Sequence, residues 1–351
     1  MKVTQQEIAD KLNLSRTTVS RCFTNHPKIN PETRSQVFQL ANQLGYSYSA
    51  PRNVTPGKES DKQPIIAVLV GLPKDEVDNV DTASQILDGI SERAAASKMA
   101  IQIHYIDPDT FTLGPNTRRA VKNINISEWS GVLLLYPFAS NAVQNLMRRV
   151  PTLSILDDYD DLGLDCVEPD QHLGINLVMD RLVGLGHTKI GFVSWKYKIR
   201  AKWVERRLGT YLEHMFLSNL DIDKKNIVNV LPAPSMPLDD LVAYVAKRTR
   251  EGVTAWVCAA DHQAYHLIEG LKKHRIKVPE DCSVTGFDGV SPPRGLPQVT
   301  TVAVSLKDVG YSAVHELERK MKEGSPRCRH VMVAGRLVVG ETTTTPTKTF
   351  E

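Results

Sequence analysis

Residues 13–21, Asn-Leu-Ser-Arg-Thr-Thr-Val-Ser-Arg, set short hydroxyls beside two arginines at helical spacing. On a helix from Arg16 to Phe23, Arg16, Thr17, Ser20 and Arg21 lie outside an apolar stripe of Val19, Cys22 and Phe23. Side chains of these types reach base edges and phosphates, and apolar packing would not select them. Elsewhere the chemistry is sparse. No GxGxxG follows a strand pattern, and GxxxxGK[ST], GxSxG and HExxH are all missing, so nucleotide hydrolysis and nucleophilic or zinc hydrolysis have no motif to stand on. His262 and His266 could share a helix face, but no Glu or Cys completes a metal set at ligand spacing. The five cysteines are odd in number and form no CxxC, which points to neither a disulfide framework nor a metal site and fits a reducing cytoplasm. No metal or cofactor is expected.

The elements that would position the arginines form a compact head. Thr4-Gln5-Gln6-Glu7 is a capping box, and Ile8, Ala9 and Leu12 give the first helix its inward face. Asn13 tolerates the left-handed turn that ends it, and Ser15 caps the second helix. Asn30-Pro31-Glu32 opens a third helix with the stripe Val37, Leu40, Ala41 and Leu44, which Gly45 stops. Two helices around so tight a turn predict a helix-turn-helix; a plain three-helix bundle is the alternative. Lys2, Lys11, Arg16, Arg21, Lys28, Arg34 and Arg52 face only Glu7, Asp10 and Glu32 in residues 1–52, a surplus of four positive charges in a chain of net charge +3. A basic head on a neutral body suits nucleic acid.

The polar run 49–63, with Pro51, Pro56 and Gly57, reads as a linker. From Pro64 on, apolar runs at Ile65–Val70, Ala100–Ile106, Gly131–Leu135, Thr152–Leu156, Lys189–Ser194, Ile227–Val230, Thr254–Ala259 and Ser283–Gly286 alternate with helical patterns. Almost fully apolar strands imply parallel sheets covered on both faces, and so many units imply two doubly wound lobes. The expected boundaries are 1–48 for the head, 49–63 for the linker, 64–184 with 299–325 for the first lobe, and 185–298 with 326–345 for the second. The N-terminus has no apolar signal core and no stretch is long enough to span a membrane, so a cytoplasmic protein without a membrane partner is expected.

The pattern Val3-Thr4-x-x-Glu7-Ile8-Ala9, Leu14-Ser15-x-x-Thr18-Val19-Ser20-Arg21, Asn30-Pro31-x-Thr33-Arg34-x-x-Val37, Leu44-Gly45-Tyr46 resembles the DNA-binding head of the lactose/galactose repressor family. In the body, Asp170-x-x-x-Gly174, Leu185-Gly186-His187, Arg206-x-x-Gly209, Asp261, Val278-Pro279-x-Asp281-x-Ser283, Gly286-Phe287-Asp288 and Val299-Thr300-Thr301-Val302 are similar to family landmarks in the same order. The resemblance implies a transcription regulator, a repressor by type, with a periplasmic-binding-protein-like body of two lobes. It implies a homodimer or a dimer-based tetramer on a near-palindromic double-stranded operator. DNA contacts then fall to Thr4, Ser15, Arg16, Thr17, Thr18, Ser20, Arg21, Asn30, Thr33, Arg34 and Tyr46. A small-molecule effector, a sugar or sugar derivative, is expected between the lobes on Arg206 and Asp288, with Asp261, Trp195 and Phe138 around it. Arg206 and Asp288 could instead form a lobe-closing ion pair, Asp261 could serve only as a helix cap, and Trp195 and Phe138 could be core.

Three departures qualify the resemblance. The family's hinge run Asn-x-x-Ala-x-x-Leu is replaced by Ser49-Ala50-Pro51-Arg52-Asn53-Val54-Thr55-Pro56, in which Pro56 stops a helix within about a turn and no leucine is available to wedge open a base step. The usual Asn-Asp pair is Ala260-Asp261, so one effector-binding amide is missing, and the loop Gly71–Val80 lacks the family's aromatic run. These leave open a constitutive regulator with no effector. A sugar-binding protein without DNA output, or an enzyme on the same body, lacks comparable support in the residues.

Overall fold

The computed structural model describes residues 3–23, 29, 33, 36–37, 40–41, 44, 46–49, 63–71, 80–108, 111, 126–195, 201–230, 236–324 and 327–347. In the head, α1 (Gln5–Leu12) and α2 (Arg16–Phe23) flank Asn13, which adopts φ 54° and ψ 40° and ends α1 in the left-handed conformation. Thr33, Gln36, Val37, Leu40, Ala41 and Leu44 are helical, and Val37 and Ala41 are buried, as are Ile8, Ala9, Val19, Cys22 and Phe23. Asn30, Pro31, Arg34 and Gly45 lie outside the described residues, as do linker positions 50–62 and loop positions 72–79.

The chain divides into two units, Met1–Glu168 with Leu306–Val333 and Pro169–Ser305 with Ala334–Glu351. The first holds a seven-stranded sheet. Its parallel centre is β3 (Ala100–Tyr105), β2 (Ile65–Val70), β4 (Gly131–Leu135), β5 (Thr152–Ile155) and β6 (Asp165–Pro169), and β12 (His330–Val333) closes the edge beyond β6. The residues of β2, β4 and β5 are buried throughout because helices cover both faces. Three of these helices are α3 (Val80–Ala96), α4 (Ser140–Met147) and α9 (Leu306–Glu323).

At the other edge, β1 (Ser47–Ser49) pairs antiparallel with β3, Ser47 opposite His104. The linker expected from residue 49 therefore starts after a strand, because β3 offers an open ladder to the chain leaving the head.

In the second unit, β10 (Ser283–Thr285), β9 (Ala255–Cys258), β7 (Ile190–Val193) and β8 (Ile227–Val228) form a parallel sheet in that order. Its helices are α5 (Gln171–Gly184), α6 (Lys202–Leu217), α7 (Leu238–Arg250) and α8 (Asp261–Lys273). An antiparallel pair of β11 (Thr301–Ala303) and β13 (Arg336–Val338) meets β10 through the Thr285–Thr300 bridge. The unit boundaries differ from the expected ones for identifiable reasons. Helix α5 packs on α6 and so goes with the second unit rather than the first. Residues 299–305 carry β11 of the second unit's two-stranded sheet, while 330–333 carry β12 of the first unit's sheet. Among the described residues no helix is long and apolar enough to cross a membrane.

Candidate nucleic-acid interface and effector site

In the head, local hydrogen bonding sets the aim of α2. Thr4 Oγ1 accepts from the Glu7 amide at 3.2 Å while the Thr4 amide donates to Glu7 Oε2 at 2.7 Å, completing the capping box on α1. Ser15 Oγ accepts from the Thr18 amide at 3.0 Å, and the Ser15 and Thr18 hydroxyls lie 2.8 Å apart. These two serve first as the cap of α2. Arg16, Thr17 and Arg21 are exposed, Ser20 and Thr33 half-buried.

Tyr46, expected among the DNA contacts, is 8% exposed with its ring 5.2 Å from that of Phe23. Burial raises its phenol pKa against a hydrogen bond from Gln5 and the Arg16 charge. Its ring belongs to the head's core.

In the second unit, the loops after β7, β9 and β10 bring polar and aromatic groups to the carboxyl edge of the sheet, where α/β folds receive ligands. The arginine that meets Asp288 is Arg207 rather than Arg206. Arg207 is buried; its Nη2 lies 3.3 Å from Asp288 Oδ1, its Nε donates to Gln171 Oε1 at 2.6 Å, and its Nη1 donates to the Ala259 carbonyl. The guanidinium lies 3.6 Å from the Phe287 ring centroid and 4.6 Å from that of Trp203. Arg206, one position round the helix, is half-buried. The family pattern Arg-x-x-Gly selects Arg206 in the sequence, but the residue pointing at the sheet edge is set by the helical phase of α6, whose buried positions are Val204, Arg207, Thr210, Tyr211 and Met215.

Asp288 has φ 115°, a conformation that costs a non-glycine residue energy and is held by the bond from its amide to the Val302 carbonyl at 2.9 Å. Burial raises its carboxyl pKa, and Arg207 pulls it back. Asp261 is fully buried. It does not cap α8: Ala260 is the cap residue, with no side-chain cap bond, and Asp261 Oδ2 accepts from the Val290 amide at 2.7 Å. Burial, with the Asp288 charge adding to it, pushes the Asp261 carboxyl up to about 8.

Trp195 is half-buried, its ring 4.8 Å from His262 and 5.3 Å from His266. The two histidines do share a face of α8, and they use it to pack an aromatic. Burial, then the neighbouring His266 and Arg207, bring the His262 pKa down to about 3, so its imidazole is neutral.

Phe138 belongs to the first unit's core, 2% exposed and packed on Phe111; its amide donates to the Tyr159 hydroxyl at 2.7 Å. Gln171 and Trp203, which brace Arg207, carried no signal in the sequence beyond falling at helix starts.

Comparison with known proteins agrees with this architecture. Residues 4–49 match the model for bacterial regulatory proteins of the lacI family, and residues 179–343 match a periplasmic binding protein-like domain. Among curated relatives, catabolite control protein A of Priestia megaterium is 24% identical over 92% of this chain and 94% of its own. Among solved structures, the lac repressor dimer bound to operator and the anti-inducer ONPF gives a TM-score of 0.64 at 20% identity, covering 98% of this chain and all of that one. The CelR–cellobiose complex gives 0.63 at 18% identity over 97% of this chain and all of that one. With a lacI-type head, a periplasmic-binding-protein-like body and full-length similarity to regulators built the same way, the chain belongs to the lactose/galactose repressor family of DNA-binding transcription regulators.

Proposed function

We propose that the protein represses transcription in the cytoplasm by binding a near-palindromic operator as a homodimer, and that a sugar or sugar derivative held at the Arg207–Asp288 edge of the second unit controls that binding. The observation that carries the DNA reading is α2 itself. It is capped by Ser15, two residues after the left-handed Asn13, and presents Arg16, Thr17 and Arg21 to solvent. An arginine bidentate to guanine discriminates by about 1–3 kcal/mol, and a dimer repeats each contact in both half-sites. Selection from a random duplex pool is expected to return a two-fold symmetric site. Arg16→Ala is expected to lose preference at one symmetric pair of positions while the head stays folded. An asymmetric site, or unchanged preferences in the variant, contradicts the reading.

The sugar reading rests on an acid, an arginine and a half-buried tryptophan at one sheet edge, groups suited to hydroxyls and to a sugar face, and on the cellobiose complex of a fold neighbour. One observation favours a second reading, a regulator without effector: Arg207 already makes bonds to Gln171, Ala259 and Asp288. Thermal-shift screening against a sugar library separates the two, since stabilisation by a sugar requires a site.

A further inference from the structure

Among the described residues, Cys166, Glu168 and His330 bring a thiol sulfur, a carboxylate oxygen and an imidazole nitrogen within 4.8 Å of one another. Cys166 and Glu168 are two apart on β6, so they point to the same face, and Asp165 points to the other. The opposite face is where Arg319 and Lys320 of α9 approach Asp165, at 3.8 and 3.3 Å. On the face of Glu168 stands His330, whose Nε2 is 2.6 Å from Oε1. Glu168 is 1% exposed and Cys166 is equally buried, while the His330 side chain is a third exposed. The cluster thus has a fixed, dry base on one strand and an accessible ligand on its neighbour.

The geometry points to a site for a divalent transition-metal ion, zinc above all, held by Cys166 Sγ, Glu168 and His330, with the fourth position open. A thiolate, an imidazole and a carboxylate suit zinc in type and number. Tetrahedral bonds of about 2.0–2.3 Å put ligand atoms roughly 3.3–3.6 Å apart. No pair of ligand atoms within the 4.8 Å cluster therefore has to close by more than about an ångström, and His330 Nε2 and Glu168 Oε1, 2.6 Å apart, open by somewhat less to admit the ion. Binding displaces the thiol proton and replaces the His330–Glu168 contact with bonds to the ion. The ion would pin β12 to β6. These two strands are the last of the first unit before each of the crossings at Glu168–Pro169 and Val333–Ala334, and residues of β12 are otherwise only half-buried or exposed. The site is a metal-responsive input separate from the Arg207–Asp288 cluster, which lies in the other unit.

The test is titration of the purified full chain, stripped of metal, with Co(II) and then Zn(II). Near-ultraviolet absorption from thiolate-to-cobalt charge transfer is expected, and zinc should abolish it. Cys166→Ser should remove the band. His330→Gln should weaken cobalt binding more than about tenfold, since loss of even an outer-shell partner costs 10–100-fold. Cys328→Ser, at the exposed cysteine two residues before His330, should leave it unchanged. No band in the wild type, a band that survives Cys166→Ser at full strength, a cobalt affinity in His330→Gln within about twofold of the wild type, or loss of the band in Cys328→Ser overturns the assignment. Because His330 is partly exposed, His330→Gln decides the matter even if Cys166→Ser fails to fold.

Discussion

Asp261 and Arg207 show how far a residue's role depends on what faces it. Asp261 follows a strand and begins a helix, which in sequence is the signature of a cap. In the structure its carboxylate turns across to the 286–290 loop, and the space a Cβ at Gly286 would occupy lies 2.1 Å from its Oδ1. Glycine at 286 is what lets the carboxylate in. With a folded-state pKa of about 8 against 3.8, Asp261 keeps its proton in the native state while the unfolded chain loses it. The folded state then binds more protons across this interval, so the stability from Asp261 is full at acid pH and is lost as pH rises from about 4 to about 8. Asp261→Asn, which has no proton to lose, is expected to show a smaller fall in thermal midpoint between pH 5 and pH 8 than the wild type. Equal falls in the two proteins would mean that Asp261 is ionised when folded.

Helix packing in the first unit depends on two glycines that face each other's backbones. A Cβ at Gly89 of α3 would stand 1.8 Å from the Lys307 carbonyl oxygen, and one at Gly310 of α9 would stand 2.0 Å from that of Ile86. Neither obstacle is a flexible side-chain end, so a methyl group there must push the helices apart, and overpacking of this kind costs about 1–3 kcal/mol. Gly310→Ala is therefore expected to lower the urea midpoint of unfolding clearly, although alanine is the better helix former by about 1 kcal/mol. A variant as stable as the wild type would show that α3 and α9 are not in backbone contact. The same logic explains Gly191 of β7, beneath the Trp256 ring, and Gly174 of α5, against Phe287.

For the molecule as a whole, a ligand changes operator affinity only to the extent that it binds the operator-competent and incompetent states differently. Coupling of about 1–3 kcal/mol corresponds to a 5- to 150-fold change. Any sugar found to stabilise the protein is therefore expected to shift operator affinity by a factor in this range, read by fluorescence anisotropy of labelled operator at fixed salt. A stabilising sugar that leaves affinity within twofold would be bound without controlling the head. Salt must be held constant because phosphate contacts alone move such affinities by orders of magnitude.

The features settled by the sequence alone were local ones. The capping box at Thr4 and Glu7, the turn at Asn13 and the cap at Ser15 need only neighbours three or four residues away, and the apolar runs of β2, β4, β5 and β7 mark strands covered on both sides wherever they come to lie. Tertiary structure decided what depends on partners distant in the chain. The phase of α6 put Arg207 rather than Arg206 against Asp288, packing of Phe23 on Tyr46 and of Phe111 on Phe138 turned two expected contact residues into core, and the α5–α6 contact moved a unit boundary. The Cys166–Glu168–His330 cluster left no trace in spacing, because adjacent strands of a sheet can come from opposite ends of a chain whereas sequence motifs record only ligands that share one loop or helix.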